Sequence, residues 1–170
     1  MNIDFKPELL RFLVPPSLFW STLILSDGIK QIFYHYDILF QYPWIFSFIF
    51  ISTGFIIGAI GACITHCVDK CKKPVWERAE GEIRYWEKIS CKGGYFSKKI
   101  ETKWHFYYLS LNSALALFLV LLLMLYEHSI NCGLIIFIIT LILIFIYLAV
   151  TNYQRAREFG NIIYEKDVSK

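Results

Sequence analysis

Apolar and polar positions fall into long blocks along this chain. Four apolar runs, Leu9–Ser26, Pro43–Cys67, His105–Tyr126 and Cys132–Val150, are split into two pairs by one long polar stretch, His66–Trp104. A hydrocarbon layer about 30 Å thick takes roughly 20 helical residues to cross. The last three runs meet that requirement and predict membrane helices. The first is short and contains Pro15 and Pro16. Proline suits the first turn of a helix, where its missing N–H leaves nothing unsatisfied. The pair therefore predicts a span that opens at Pro15 and runs to about Lys30. The aromatic-rich stretch Ile29–Tyr42 that follows suits a water–lipid boundary and equally an extension of the first helix.

Within the polar stretch, Val75, Trp76, Ala79, Ile83 and Trp86 recur at helical spacing after Pro74, and Gly93 and Gly94 end the segment. Beyond Val150, Tyr153–Lys166 reads as a polar helical tail. Trp76-Glu-Arg-Ala in the loop resembles Tyr153-Gln-Arg-Ala in the tail, which suggests two copies of a hairpin followed by a cytosolic helix. The predicted fold is all-α: a polytopic membrane protein with a four-helix transmembrane bundle and two cytosolic amphipathic helices. Its segments are a first transmembrane hairpin (1–66), a basic cytosolic loop with an amphipathic helix (67–104), a second hairpin (105–152) and a cytosolic tail (153–170).

Composition supports the membrane reading: hydrophobic residues make up 56% of the 170 residues and charged ones 18%, against about 45–50% and 25% in soluble domains. The charge is placed rather than merely present. Ten of the seventeen Lys and Arg residues sit between His66 and Trp104, and the segments joining spans one to two and three to four hold only Lys30. By the positive-inside rule, the loop and both termini are cytoplasmic and the protein belongs in the cell (inner) membrane. A net charge of +3 is too small for a nucleic-acid partner. Cys63, Cys67, Cys71 and Cys91 fall on the loop side and Cys132 alone on the other, an arrangement unsuited to a disulfide framework.

Chemistry is thinly signalled. Cys67, Cys71 and Cys91 with His66 and His105 supply zinc-type ligands, but in no compact C-x-x-C knuckle. No nucleophile elbow, phosphate loop or His-Glu-x-x-His motif occurs, so no enzyme and no cofactor is expected. Gly54 and Gly58 form a small-x-x-x-small pair continued by Gly61, a face that lets helix backbones approach, within one chain or between copies. Ser52, Thr53, Ser110, Asn112 and Ser113 supply the polar groups a pore would need. Arg78, Arg84, Arg155 and Arg157 suit a cytosolic partner or lipid headgroups. Two functions follow as expectations. One is a homo-oligomeric membrane protein that forms or gates a pore, acting as a membrane-disrupting effector controlled by a cytosolic partner. The other is a membrane anchor that docks a soluble protein through its loop and tail.

Overall fold

Where a chain enters lipid, every backbone N–H and C=O must be satisfied internally, so apolar runs become helices whatever their β-branched content. Cys132–Val150, crowded with Ile, follows that rule. A computed structural model of the protein describes residues 7–25, 43–71, 94–126 and 132–168, with side chains described over 10–25, 44–45, 47–68, 98–126 and 132–160. The described residues form four helices: α1 (Pro7–Leu25), α2 (Pro43–Cys71), α3 (Gly94–Tyr126) and α4 (Cys132–Val168). Three of them contain segments long and apolar enough to cross a membrane, Ser47–Val68, Lys98–Tyr126 and Cys132–Gly160. The apolar part of α1, Leu10–Leu25, is shorter.

Two expectations are corrected here. Pro15 and Pro16 do not open a helix; they are the ninth and tenth of the 19 described residues of α1, Pro7–Leu25, and the expected end near Lys30 lies outside the described residues. The two prolines withdraw the donors that would meet the Arg11 and Phe12 carbonyls. Tertiary packing compensates, because both rings are fully buried. The tail is not a separate helix either. α4 runs unbroken for 37 residues from Cys132 through the tail to Val168, because no proline or positive-φ residue interrupts the passage from apolar to polar sequence. The loop helix expected over residues 75–88, and with it the loop half of the suggested repeat, lies outside the described residues.

α3 is the hub. It packs most extensively against α4, next against α1 and more lightly against α2, while α1 also packs against α2. Thr65 meets Tyr107 while Gly61 meets Asn112 and Leu115, so α2 runs antiparallel to α3. Tyr107 meets Tyr153, and Ile138 joins Leu117, Val120 and Met124, so α4 is antiparallel to α3 as well. Leu23 of α1 joins the same cluster, while Phe12 shares Gly58 with Asn112, which sets α1 parallel to α3. Ile138, Leu117 and Val120 are fully inaccessible. In lipid such a core is held by close packing rather than by expulsion of water.

The outer surfaces are apolar. Ile136, Phe137, Leu143, Ile144 and Tyr147 of α4, and Phe48, Phe55 and Ile56 of α2, are exposed. Hydroxyls on these helices turn back on their own backbone: Thr53 donates to the Ile49 carbonyl and Thr140 to that of Ile136, each at 2.8 Å. Such back-bonding hides a polar group from an apolar solvent. The chain is a membrane protein of helical architecture.

Candidate functional site

The polar groups of this bundle gather in two places, one between α2 and α3 and one at the end of the α3–α4 pair. In the first, α2 presents Gly54, Gly58 and Gly61 along one side, and all three meet neighbours from the same chain. A Cβ built on Gly54 would stand 2.8 Å from the Phe12 carbonyl oxygen and 3.2 Å from Cγ of Pro16. That oxygen is the one whose helical donor Pro16 removes, so α2 passes against the broken turn of α1 with only a glycine between them. A Cβ on Gly58 would make ordinary contacts, 3.9 Å from the Phe12 ring and 4.0 Å from Asn112 Nδ2. One on Gly61 would collide with Asn112 Oδ1.

Asn112, near the centre of α3, therefore fills a notch cut by Gly58 and Gly61. Its residue exposure is 4%, and its Oδ1 is buried with no hydrogen-bond partner. One turn nearer the polar end, Thr65 Oγ1 and Tyr107 Oη are 2.9 Å apart, and Thr65 Oγ1 lies 2.9 Å from the Gly61 carbonyl oxygen. Thr65 has a single hydroxyl proton, which goes to Gly61, so Tyr107 donates to Thr65. The result is a short chain, Tyr107 to Thr65 to Gly61, that ties α3 to α2. Arg11 Nε is also buried without an acceptor, and its guanidinium carbon lies 4.7 Å from the Phe12 ring centroid.

The second group begins where the apolar runs end. Trp104, Tyr107 and Tyr108 of α3 and Tyr153 of α4 form an aromatic layer. Tyr107 and Tyr153 have ring centroids 5.4 Å apart, and Trp104 meets Tyr153 edge-on at 5.7 Å. Beyond it the two helices stay packed, with Ile100 and Ala156 at 1% and 2% exposure and Gly160 buried. Two cations are laid on rings here: Lys99 Nζ lies 4.7 Å from the Phe159 centroid and Arg157 Cζ 5.2 Å from that of Tyr153. Lys98, Lys103 and Arg155 add charge, against Glu101 and Glu158.

The expected site residues are thus distributed unevenly. Ser110, Asn112 and Ser113 are buried inside the single chain, with exposures of 5%, 4% and 0%. Ser110 and Ser113 each donate to a carbonyl one turn earlier. Ser52 and Thr53 are half-buried on α2, Thr53 donating to Ile49. Arg155 is exposed and Arg157 half-buried; Arg78 and Arg84 lie outside the described residues. Of the metal-type residues, Cys67 and His66 are exposed, His105 is half-buried with Nε2 3.7 Å from Glu101, and the side chains of Cys71 and Cys91 are outside the described set. Among the described residues no three His, Cys, Asp or Glu side chains converge. Sequence reasoning missed Thr65 and Tyr107, for which no signal existed until α2 and α3 were aligned. It also missed the seating of Lys99 on Phe159 and of Arg157 on Tyr153. Comparison with family models, curated proteins and solved structures gives no match.

Proposed function

We propose that the protein is a multi-pass membrane anchor whose α3–α4 pair projects from the bilayer to dock a soluble partner. The observation that carries this reading is the continuity of the two helices past the membrane. At 1.5 Å per residue, α3 is roughly 50 Å long and α4 roughly 55 Å, against about 30 Å of hydrocarbon. What extends beyond is packed around Ile100 and Ala156 and is rich in Lys and Arg. A rigid, charged, two-helix projection suits recognition of another macromolecule. The topology that goes with it has four crossings, α1 being the short one, with the projection and both termini on the cytoplasmic side of the inner membrane.

The alternative, a homo-oligomeric pore, rests on the glycine face and the polar residues of α2 and α3. Here the glycine face is filled by Phe12, Pro16 and Asn112 of the same chain, and the Ser110 and Ser113 hydroxyls are bound to their own backbone. Those groups support packing within the protomer, so the anchor reading is preferred.

A photo-crosslinking residue at position 155, on the exposed side of the projection, tests it in intact membranes. The expected product is a discrete adduct with a soluble protein, weakened by a loop change of Arg78 and Arg84 to Glu and absent when the probe is at the lipid-facing position 137. Adducts with lipid alone, or with further copies of the chain, overturn the docking role. Dye leakage from liposomes that tracks a discrete oligomer restores the pore.

A further inference from the structure

The aromatic layer and the cations next to it define a second site, and we propose that Lys103 and Arg157, supported by Lys99, bind the phosphate groups of anionic phospholipids at the base of the projection. The inference rests on the membrane reading but not on any soluble partner. Its first element is register. Tyr107 to Tyr126 in α3 and Leu134 to Tyr153 in α4 are each 20 residues, or roughly 30 Å of helix, the thickness of the hydrocarbon layer. Both helices thus reach the same boundary at Tyr107 and Tyr153, and these two rings touch, at 5.4 Å between centroids. Trp104 and Tyr108 complete the layer, with Trp104 at 6.1 Å from Tyr108. Indole and phenol groups, apolar in body and polar at one end, are the side chains that collect at this depth.

The second element is what stands one turn further out. Four residues before Tyr107 is Lys103, and four after Tyr153 is Arg157. Each is about 6 Å further along its helix than the Tyr107–Tyr153 pair, at the level of the headgroup phosphates. Lys99, a further turn out on α3, lies over Phe159, and Arg157 lies over Tyr153, so the cationic ends of both are seated on aromatic faces. Lys103 and Arg157 are half-buried rather than fully extended into water. The described residues 98–105 and 153–160 carry Lys98, Lys99, Lys103, Arg155 and Arg157 against Glu101 and Glu158, so the region is positively charged overall. Glu101 lies 3.7 Å from His105 Nε2, one turn away along α3. Charge complementarity selects a lipid with net negative charge, such as phosphatidylglycerol, over a zwitterionic one.

The full chain is reconstituted into nanodiscs of phosphatidylcholine containing about one-fifth phosphatidylglycerol. The lipids it retains on release are then counted by native mass spectrometry. The expected result is enrichment of phosphatidylglycerol over its bulk share, falling toward the bulk share in Lys103→Gln and in Arg157→Gln, each charge being worth about fivefold in the affinity of the site. Arg157→Lys keeps part of the enrichment. Arg155→Gln, two residues away and exposed on the projection, lowers it less than either, through the charge of the region alone. Enrichment equal to bulk in the wild type, or unaltered in the double variant, overturns the site while leaving the membrane reading standing. An equal loss in Arg155→Gln overturns the assignment to Lys103 and Arg157. Failure of the chain to enter the discs overturns the membrane reading together with the site.

Discussion

A carboxamide at the centre of an apolar helix is costly unless its surroundings give it a place, and Asn112 occupies one made by absent side chains. The three glycines of α2 differ sharply in what a methyl group would meet, which turns them into separate tests. Gly58 has room: Ala there meets only ordinary contacts at 3.9 Å and 4.0 Å, and gains up to about 1 kcal/mol of helix propensity. Gly54 and Gly61 have none. Gly61→Ala is expected to destabilise the bundle by about 1–3 kcal/mol through overpacking. In an Asn112→Ala background most of that cost disappears, giving a coupling of about 0.5–3 kcal/mol. Unfolding of the purified protein in mixed micelles measures the cycle, and additive effects would remove Asn112 from the notch. Tyr107→Phe takes away the proton given to Thr65. In membrane bundles such a bond averages about 0.6 kcal/mol, so the same titration should show a small loss, matched by Thr65→Val and not increased when the two are combined.

At the scale of elements, α1 and the α3–α4 pair behave in opposite ways. α1 is interrupted in its middle yet held, because its fully buried prolines lie against Gly54. Gly54→Ala forces a Cβ toward a main-chain oxygen that cannot rotate away, so α1 itself must shift. We expect a loss of about 1–3 kcal/mol, the overpacking range, with faster hydrogen exchange confined to residues 10–17. The α3–α4 pair, by contrast, continues unbroken past the apolar spans, and its outer part depends on small residues at the seam. Ala156→Leu should splay the projection. Amides of 98–104 and 153–160 would then exchange faster, while those of 113–125, around the Leu117–Met124 cluster, keep their protection. Uniform loss of protection along both helices would mean that the projection and the membrane portion are one cooperative unit.

For the whole molecule, the decisive quantity is which end of the bundle faces which compartment. The chain carries its own probes. Cys63 and Cys67 lie toward the end of α2 that adjoins the basic loop, and Cys132 begins α4 at the opposite end; all three are free and exposed. In a variant with Cys132 as its single cysteine, a membrane-impermeant maleimide should label intact cells from outside. A variant retaining Cys67 alone should label only after the cells are opened. The reverse pattern would invert the topology and place the projection on the outer face. Because α4 packs extensively on α3 alone, the arrangement also leaves two broad lipid-facing surfaces, on α2 and α4.

Much of this architecture could be read along the chain, and the part that could not has a common cause. Hydropathy is a local property, and a run such as Cys132–Val150 is helical in lipid whatever its neighbours are, because no other spanning structure satisfies its backbone. The apolar stretches of α2, α3 and α4 followed from length and composition alone, whereas the aromatic layer of Trp104, Tyr107, Tyr108 and Tyr153 emerged only when α3 and α4 were set side by side. The role of Pro15 and Pro16 did not follow from length and composition either. Whether a proline pair starts a helix or interrupts one depends on what lies against the freed carbonyls, and that group is Gly54, some forty residues away. The uses of Gly54, Gly58 and Gly61 were equally open, since a small face serves a neighbouring helix or a neighbouring copy with the same sequence pattern. Only the juxtaposition of α1 and α3 with α2 assigned that face to the protomer. Sequence by itself determined that the chain is helical and belongs in a membrane. Tertiary structure decided which helices touch, which polar groups are hidden, and how far α3 and α4 travel together, because contact depends on residues distant in the chain that local pattern does not encode.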